Sequence, residues 1–183
     1  TYRDLASAMP RDELLEAVAG LDALVAMMVD RVDAELLDAA GPGLRVVADV
    51  VVGYDNVDVA ACTERGVVVT NTPGVLTDAT ADIAMALVLM TTRGLGAAER
   101  RVRTGEPWQW NFTADLGTGL RGKTLGIVGP GAIGLATARR AAAFGMHVVA
   151  LARSPRSDAP VGVEMARSKE ELFERADHLV RCR

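Results

Sequence analysis

Short apolar runs alternate with segments of helical periodicity along most of the chain. The apolar runs are rich in β-branched residues and have the length of strands buried in a parallel sheet. They cover residues 23–29, 44–52, 67–71, 124–128, 147–152 and 178–182. The segments between them predict helices over residues 11–19, 34–40, 59–65, 77–93, 97–103, 132–144 and 169–176. Strands and helices that alternate in this way predict an α/β protein with parallel sheets.

The pattern changes at Pro73-Gly74, which separates two parallel α/β regions. We expect residues 1–74 to form one domain and residues 97–183 to begin a second. Residues 75–96 form the connection, which consists of one long helix and a hinge containing two glycines. This helix is apolar on almost every side, so we expect it to be buried on most of its faces between the two domains.

A complete βαβ unit with a glycine-rich turn lies in the second region. Gly129, Gly131 and Gly134 have the G-x-G-x-x-G spacing of a dinucleotide site. The first glycine permits a tight turn, the second lets the backbone approach a pyrophosphate, and the third lets the helix pack closely on the sheet. The helix begins at Ala132 and Ile133, so its free N–H groups and its positive dipole end face the phosphates.

The end of the second strand of this unit favours NADP over NAD. A site for NAD normally has an acidic residue about 20 residues after the glycines, where it binds the ribose 2′-hydroxyl. Here no carboxylate occurs before Asp158, and Arg153, Ser154 and Arg156 cluster at this position. Guanidinium groups suit a 2′-phosphate because they form bidentate, charge-assisted hydrogen bonds. The sequence therefore predicts NADP, with NAD as the alternative if the arginines are ordinary solvated loop residues.

Composition excludes several other classes of function. The 183 residues carry a formal net charge of −4 and are 50% hydrophobic, as in a globular protein. Residues 94–156 hold nine bases and three acids, which suits an anionic cofactor, but they lack the Lys/Arg runs typical of nucleic-acid binding. The most apolar window, residues 83–90, is too short to cross a membrane. Cys62 and Cys182 lack the spacing of a metal site, so we expect no metal, reduced thiols and a cytoplasmic protein.

Three separated motifs resemble a known enzyme family. The segment VGYDN at residues 52–56 is followed by TNTPGVLTDATAD at residues 70–82 and by GKTLGIVG at residues 122–129. In this order the motifs resemble the D-isomer-specific 2-hydroxyacid dehydrogenases, and most closely their glyoxylate/hydroxypyruvate reductase branch. The resemblance covers nearly the whole chain.

This resemblance implies a fold, a reaction and several site residues. The fold is a flavodoxin-like parallel α/β substrate domain joined to a Rossmann-type dinucleotide-binding domain, both incomplete in this chain. The reaction is the reduction of a small 2-keto acid to the D-2-hydroxy acid by hydride from a nicotinamide. The backbone N–H groups of Val52 and Gly53 would hold the substrate carboxylate, and Thr80 would reach the cofactor. A strand end followed by glycine does let an anion approach the backbone closely.

Other positions have a structural interpretation or depart from the family pattern. We interpret four residues as turn and capping residues rather than proton-transfer groups: Asp55, Asn56, Asp78 and Asp82. Ala132 stands where the family often has an arginine, so one phosphate contact is missing. Asp49 replaces a more usual uncharged polar residue near the substrate cleft, where an unpaired negative charge would oppose a keto acid.

The family's catalytic arginine, glutamate and histidine are expected beyond residue 183. His147 and His178 begin predicted strands and are most simply structural or surface residues. We therefore expect the chain to be an inactive fragment of the enzyme. The alternative function is a non-enzymatic, dinucleotide-sensing binding module, as in corepressor relatives.

The irregular segment at residues 105–122 contains Trp108, Trp110 and Phe112. Large aromatic side chains on a long loop indicate contact with another subunit or a cover over the cleft, and packing against the same domain is the alternative. We expect a homodimer formed through the dinucleotide-binding domain and this loop.

Overall fold

The computed structural model describes residues 9–105, 107, 116–154 and 161–182. The chain divides into two compact units, the first ending at Val75 and the second beginning at Leu76. Each unit contains its own parallel sheet with helices packed against it. The predicted α/β class is therefore confirmed.

In the first unit three short strands form a parallel sheet in the order β1-β2-β3. The elements are α1 (Arg11–Ala17), β1 (Ala23–Ala26), α2 (Ala34–Ala40), β2 (Val46–Asp49), α3 (Val59–Glu64) and β3 (Val68–Thr70). Leu36 of α2, Cys62 of α3 and Val47 of β2 are buried together in one core. Strands β1 and β2 end earlier than predicted, so residues 27–31 and 50–56 form loops at the carboxyl ends of these strands.

Two aspartates fix where helices of the first unit begin. Asp58 accepts a hydrogen bond from the Ala61 amide at 2.9 Å at the start of α3. Asp33 accepts one from the Leu36 amide at 3.2 Å at the start of α2 and also pairs with Arg11. Burial raises the pKa of the Asp33 carboxyl, but the Leu36 amide and the Arg11 guanidinium outweigh it and hold that pKa below its usual value. Each cap satisfies an N–H group that the first helical turn leaves free.

The second unit contains a four-stranded parallel sheet in the order β6-β5-β4-β7. Its elements are α4 (Thr77–Thr92), α5 (Leu95–Thr104), β4 (Thr124–Val128), α6 (Ala132–Ala143), β5 (His147–Leu151), β6 (Glu164–Met165), α7 (Lys169–Arg175) and β7 (His178–Arg181). This order matches the first four strands, 3-2-1-4, of the doubly wound dinucleotide-binding sheet. The sequence does not predict β6, because two residues carry no recognisable periodicity.

Helix α4 is less buried than its composition predicts. Met85 and Val88 enter the core that β4 and α6 form, whereas the side chains of Ile83 and Leu87 are 62% and 57% exposed. The prediction that this helix is buried on most of its faces is therefore wrong for this chain. Helix α4 buries only the face that carries Met85 and Val88, and the other apolar positions remain exposed.

An ion-pair cluster attaches the first turns of α4 to α6. The Arg140 guanidinium donates to Asp82 at 2.6 Å and to Asp78 at 3.1 Å, and these bonds raise the pKa of the arginine. Neither aspartate caps α4, because the N-cap position is Leu76 and no side-chain hydrogen bond is made there. The interpretation of Asp78 and Asp82 as capping residues is therefore wrong, since both join one helix to another.

None of the helices in the described part of the chain is by itself long and apolar enough to cross a membrane. Helices α4 and α5 together have the length and the apolar composition of a membrane-spanning segment, but the chain bends by 70° between them. The bend falls at Gly94, whose φ of 62° is a left-handed conformation that glycine adopts without a Cβ clash.

Candidate functional site

The glycine-rich turn after β4 brings several backbone segments into close contact. Gly129 has a φ of 91° and donates its N–H to the Leu151 carbonyl at 3.0 Å. A Cβ atom on Gly129 would collide with the carbonyl oxygen of Cys182. A Cβ atom on Gly134 would collide with the carbonyl oxygen of Gly129. Only glycine at these two positions lets the ends of β4, β5 and β7 and the start of α6 approach each other so closely.

Gly131 faces open space at the N-terminus of α6. A Cβ atom on it would meet nothing within 4 Å, and its φ of −79° is accessible to any residue. The first hydrogen bond of the helix runs from the Leu135 amide to the Gly131 carbonyl at 2.9 Å. The N–H groups of Ala132, Ile133 and Gly134 have no acceptor among the described residues. These N–H groups and the open space beside Gly131 fit the pyrophosphate of a dinucleotide.

Arg153 and Ser154 lie exposed directly beyond the end of β5. The hydrogen bond between Gly129 and Leu151 holds this strand end beside the glycine-rich turn. Arg153 forms no hydrogen bond or ion pair with the residues that the structure describes, so its guanidinium is available to a ligand. Arg156, the third residue predicted to contact a 2′-phosphate, lies outside the described residues.

The Cys182 thiol lies close to the same turn, because its backbone amide donates to the Val128 carbonyl at 2.9 Å. Burial raises the pKa of this thiol, and a hydrogen bond with Thr137 only partly opposes that effect. Burial therefore disfavours the thiolate form of Cys182, whose negative charge would lie close to the proposed phosphate site.

Thr80 lies on α4 in a groove of about 590 Å³. Other residues of α4, including Ile83 and Leu87, line one side of this groove, and residues 177–181 line the other. The described lining does not include residues 129–134. This groove therefore does not join Thr80 to the glycine-rich turn.

The loop after β2 presents a row of free backbone N–H groups. The amides of residues 51–54 have no acceptor among the described residues. The carbonyl oxygens of this loop are held instead: that of Val51 accepts from the Thr72 amide at 3.0 Å, and that of Val52 accepts from the Asn71 side chain at 2.8 Å. Val52 and Gly53 are exposed, so their N–H groups can receive an anion.

Sequence reasoning missed the supporting roles of Asn71 and Thr72. Both residues belong to the TNTPG segment that carries the family resemblance, but the resemblance assigned them no role. A signal was present, because polar residues directly after β3 lie beside the end of β2 once the two strands pair in parallel.

Asp49 is a buried carboxylate at the end of β2, directly before this loop. It is 1% exposed, and its Oδ1 accepts from the Asn56 side chain at 3.4 Å, while its Oδ2 has no partner in the described structure. The Asn56 amide also donates to the carbonyls of Met27 and Asp30, at 3.2 Å each, so it ties the loop after β1 to the loop after β2. No described cation pairs with Asp49, which directly precedes the loop that carries the free N–H groups.

Neither histidine lies beside the glycine-rich turn. His147 begins β5 and His178 begins β7, whereas the glycine-rich turn follows the carboxyl end of β4. Strands of a parallel sheet begin at one edge and end at the other, so both histidines lie at the edge opposite the turn. Within the described ranges no three His, Cys, Asp or Glu side chains are grouped closely enough to hold a metal ion.

A model of the family described as "D-isomer specific 2-hydroxyacid dehydrogenase, catalytic domain" matches residues 1–179. The chain belongs to this family. Its members are oxidoreductases that act on the CH–OH group of 2-hydroxy acids, so the resemblance inferred from the three motifs is confirmed.

The chain is similar to known proteins both in sequence and in structure. The chain is 48% identical to the glyoxylate reductase of Thermococcus litoralis and 49% identical to that of Thermococcus kodakarensis, each over 179 residues. These matches cover 94% of this chain and 53% of each relative, so the chain spans about half the length of these dehydrogenases. The TT0316 protein of Thermus thermophilus has a TM-score of 0.91 at 44% identity, covering 97% of this chain and 56% of its own.

Alanine substitutions at two of the glycines separate folding from cofactor binding. Gly131→Ala adds a methyl group to open space, so we expect the free energy of unfolding to change by less than about 1 kcal/mol. The same methyl group occupies the approach of the pyrophosphate, and NADPH affinity should fall about tenfold or more. Thermal unfolding and a calorimetric NADPH titration measure the two effects.

Gly134→Ala is the matched control, because its Cβ atom would overlap the Gly129 carbonyl. We expect this variant to lose about 1–3 kcal/mol of stability. Unchanged NADPH affinity in a folded Gly131→Ala protein would contradict the assignment of the turn to the cofactor.

Proposed function

We propose that this chain supplies the substrate-binding unit and part of the dinucleotide-binding unit of an NADPH-dependent reductase. Its substrate would be a small 2-keto acid such as glyoxylate or hydroxypyruvate, and its product the D-2-hydroxy acid. The observation that carries this proposal is the presence of two rows of free backbone N–H groups, at residues 51–54 and 132–134. The first suits a carboxylate and the second a pyrophosphate. The identity to two glyoxylate reductases supports the choice of substrate.

Each unit has its own role in this proposal. In the first unit the N–H groups of Val52 and Gly53 bind and orient the substrate carboxylate, and Asn71 holds their loop in place. In the second unit Ala132 and Ile133 bind the pyrophosphate, and Thr80 is a further cofactor contact that the family resemblance implies. When bound, the reduced nicotinamide supplies the hydride for the keto group.

The preference for NADP over NAD rests on Arg153 and its neighbours. Leu151 ends β5 and Ala152 follows it, and neither supplies a carboxylate that could bind a ribose 2′-hydroxyl. Arg153 is exposed beside the glycine-rich turn and has no partner among the described residues. Its guanidinium is therefore free to bind a 2′-phosphate when the cofactor binds. Ser154 and Arg156 would supply additional hydrogen bonds to the same phosphate.

Replacing Arg153 tests this preference. Arg153→Gln should lower NADPH affinity by about five- to twentyfold and leave NADH affinity nearly unchanged, because only NADPH carries the 2′-phosphate. Arg121→Gln is the control, since Arg121 precedes the start of β4, at the end of the strand away from the turn. Tighter binding of NADH than NADPH by the parent chain would refute the preference.

Neither of the two histidines in the described residues lies beside the glycine-rich turn. His147 and His178 lie at the amino ends of their strands, on the edge of the sheet away from the glycine-rich turn. We therefore propose that residues 1–183 alone bind ligands without turning them over, and that the proton donor of the reaction is contributed by polypeptide outside this chain.

A fusion protein tests the proposed reaction. Residues 1–183 would be joined to the unmatched portion of the Thermococcus kodakarensis glyoxylate reductase, and NADPH oxidation would be followed with glyoxylate and with hydroxypyruvate. We expect glyoxylate-dependent oxidation by the fusion and none by residues 1–183 alone. A folded fusion that binds NADPH but reduces neither acid would favour the dinucleotide-sensing binding module instead.

We further propose that the protein works as a cytoplasmic homodimer joined through the second unit and the loop with Trp108 and Trp110. The exposed apolar side chains of Ile83, Leu87 and Val102 on α4 and α5 support this surface as an interface. The two tryptophans lie outside the described residues. Free Cys62 and Cys182 agree with a reducing compartment. A monomer by sedimentation at micromolar concentration would contradict the dimer.

A further inference from the structure

Asp49 is a buried carboxylate beside the proposed substrate loop. In the described structure, its two oxygen atoms are not both supplied with hydrogen-bond partners. Its Oδ1 has a single long hydrogen bond of 3.4 Å, and its Oδ2 has none although it is buried. The only side chain that contacts it among the described hydrogen bonds is the neutral Asn56 amide, which also donates to the backbone carbonyls of Met27 and Asp30. No described lysine, arginine or histidine forms an ion pair with Asp49.

The free N–H groups of the loop lie within electrostatic reach of this charge. Asp49 precedes Val52 by three residues, and three residues of extended chain span at most about 11 Å. A charge without solvent contact is screened less than a surface charge, for which the Debye length is about 8–10 Å. An anion on the N–H groups of Val52 and Gly53 is therefore repelled by the carboxylate behind them.

We propose that Asp49 is a specificity-determining residue that selects singly charged 2-keto acids over doubly charged ones. The inference rests on the proposed function, because it requires that Val52 and Gly53 bind the substrate carboxylate. Repulsion scales with the charge of the ligand, so Asp49 weakens the binding of a dianion about twice as much, in free energy, as the binding of a monoanion. Glyoxylate and hydroxypyruvate each carry one negative charge, whereas a keto acid with a second carboxylate carries two.

Oxamate and oxalate test this inference on the chain itself. The two probes have nearly the same size and shape, but oxamate is a monoanion and oxalate a dianion at neutral pH. Their affinities would be measured from the NMR shifts of the Val52 and Gly53 amides at low ionic strength. In Asp49→Asn we expect oxamate to bind about two- to tenfold more tightly and oxalate to gain by about the square of that factor.

Two further variants separate charge from structure. Asp22→Asn removes one negative charge from a largely exposed side chain that precedes β1, at the other end of the sheet, and should change neither affinity. Asp49→Ser removes the same charge as Asp49→Asn with a smaller side chain, and it replaces the asparagine variant if that variant does not fold. The oxalate-to-oxamate ratio is the decisive readout, because a merely structural effect on the loop would change both affinities by the same factor.

The possible outcomes distinguish this inference from the proposed function. Equal gains for both probes, or no gain, would overturn the role of Asp49 while leaving the carboxylate site intact. Failure of both probes to shift the Val52 and Gly53 amides in every variant would overturn the carboxylate site and the role of Asp49 together. A larger gain for oxalate in Asp49→Asn, absent in Asp22→Asn, is the result that the inference requires.

Discussion

The close approach of α6 to the end of β4 is the contact on which the second unit depends. At Gly134 the helix lies against the Gly129 carbonyl, with no space for a side chain between them. This contact directs the unpaired N–H groups of the first helical turn into the open space beside Gly131. The proposed phosphate site is therefore made of backbone, and it does not require a cationic side chain at the position of Ala132.

The proposed binding loop of the first unit also lies at the edge of a parallel sheet where the strands end. All its strands end at one edge, so the residues after β3 reach the loop after β2. Asn71 and Thr72 bind carbonyl oxygens of that loop, whereas the N–H groups of Val52 and Gly53 have no acceptor among the described residues. Both units thus present unpaired donors just beyond strand ends, where fixed dipoles attract an anion without any cationic side chain.

Features determined by local chemistry could be predicted from the sequence. The three glycines predict a tight turn, open space for a pyrophosphate and close packing of the helix on the sheet. Each of these features depends on the absence of one Cβ atom. The capping aspartates Asp33 and Asp58 are recognisable for the same reason, since the N–H groups they satisfy lie three residues away.

Features determined by distant neighbours could not be predicted. Arg140 pairs with Asp82 and Asp78 across 58 and 62 residues of sequence, so reading the helix alone suggested caps where the fold has an ion-pair cluster. The prediction that α4 is buried on most of its faces was wrong for a related reason. Composition records how apolar a helix is, whereas burial depends on how many elements pack on it. The strand β6, only two residues long, is defined by its pairing with β5 rather than by any pattern of its own.

A crystal structure of the protein with NADPH bound would test the proposed cofactor site most directly. We predict that the pyrophosphate accepts hydrogen bonds from the Ala132 and Ile133 amides, beside Gly131, and that the 2′-phosphate lies against the Arg153 guanidinium. A cofactor bound elsewhere on the second unit, or a pyrophosphate without contact to the first turn of α6, would contradict it.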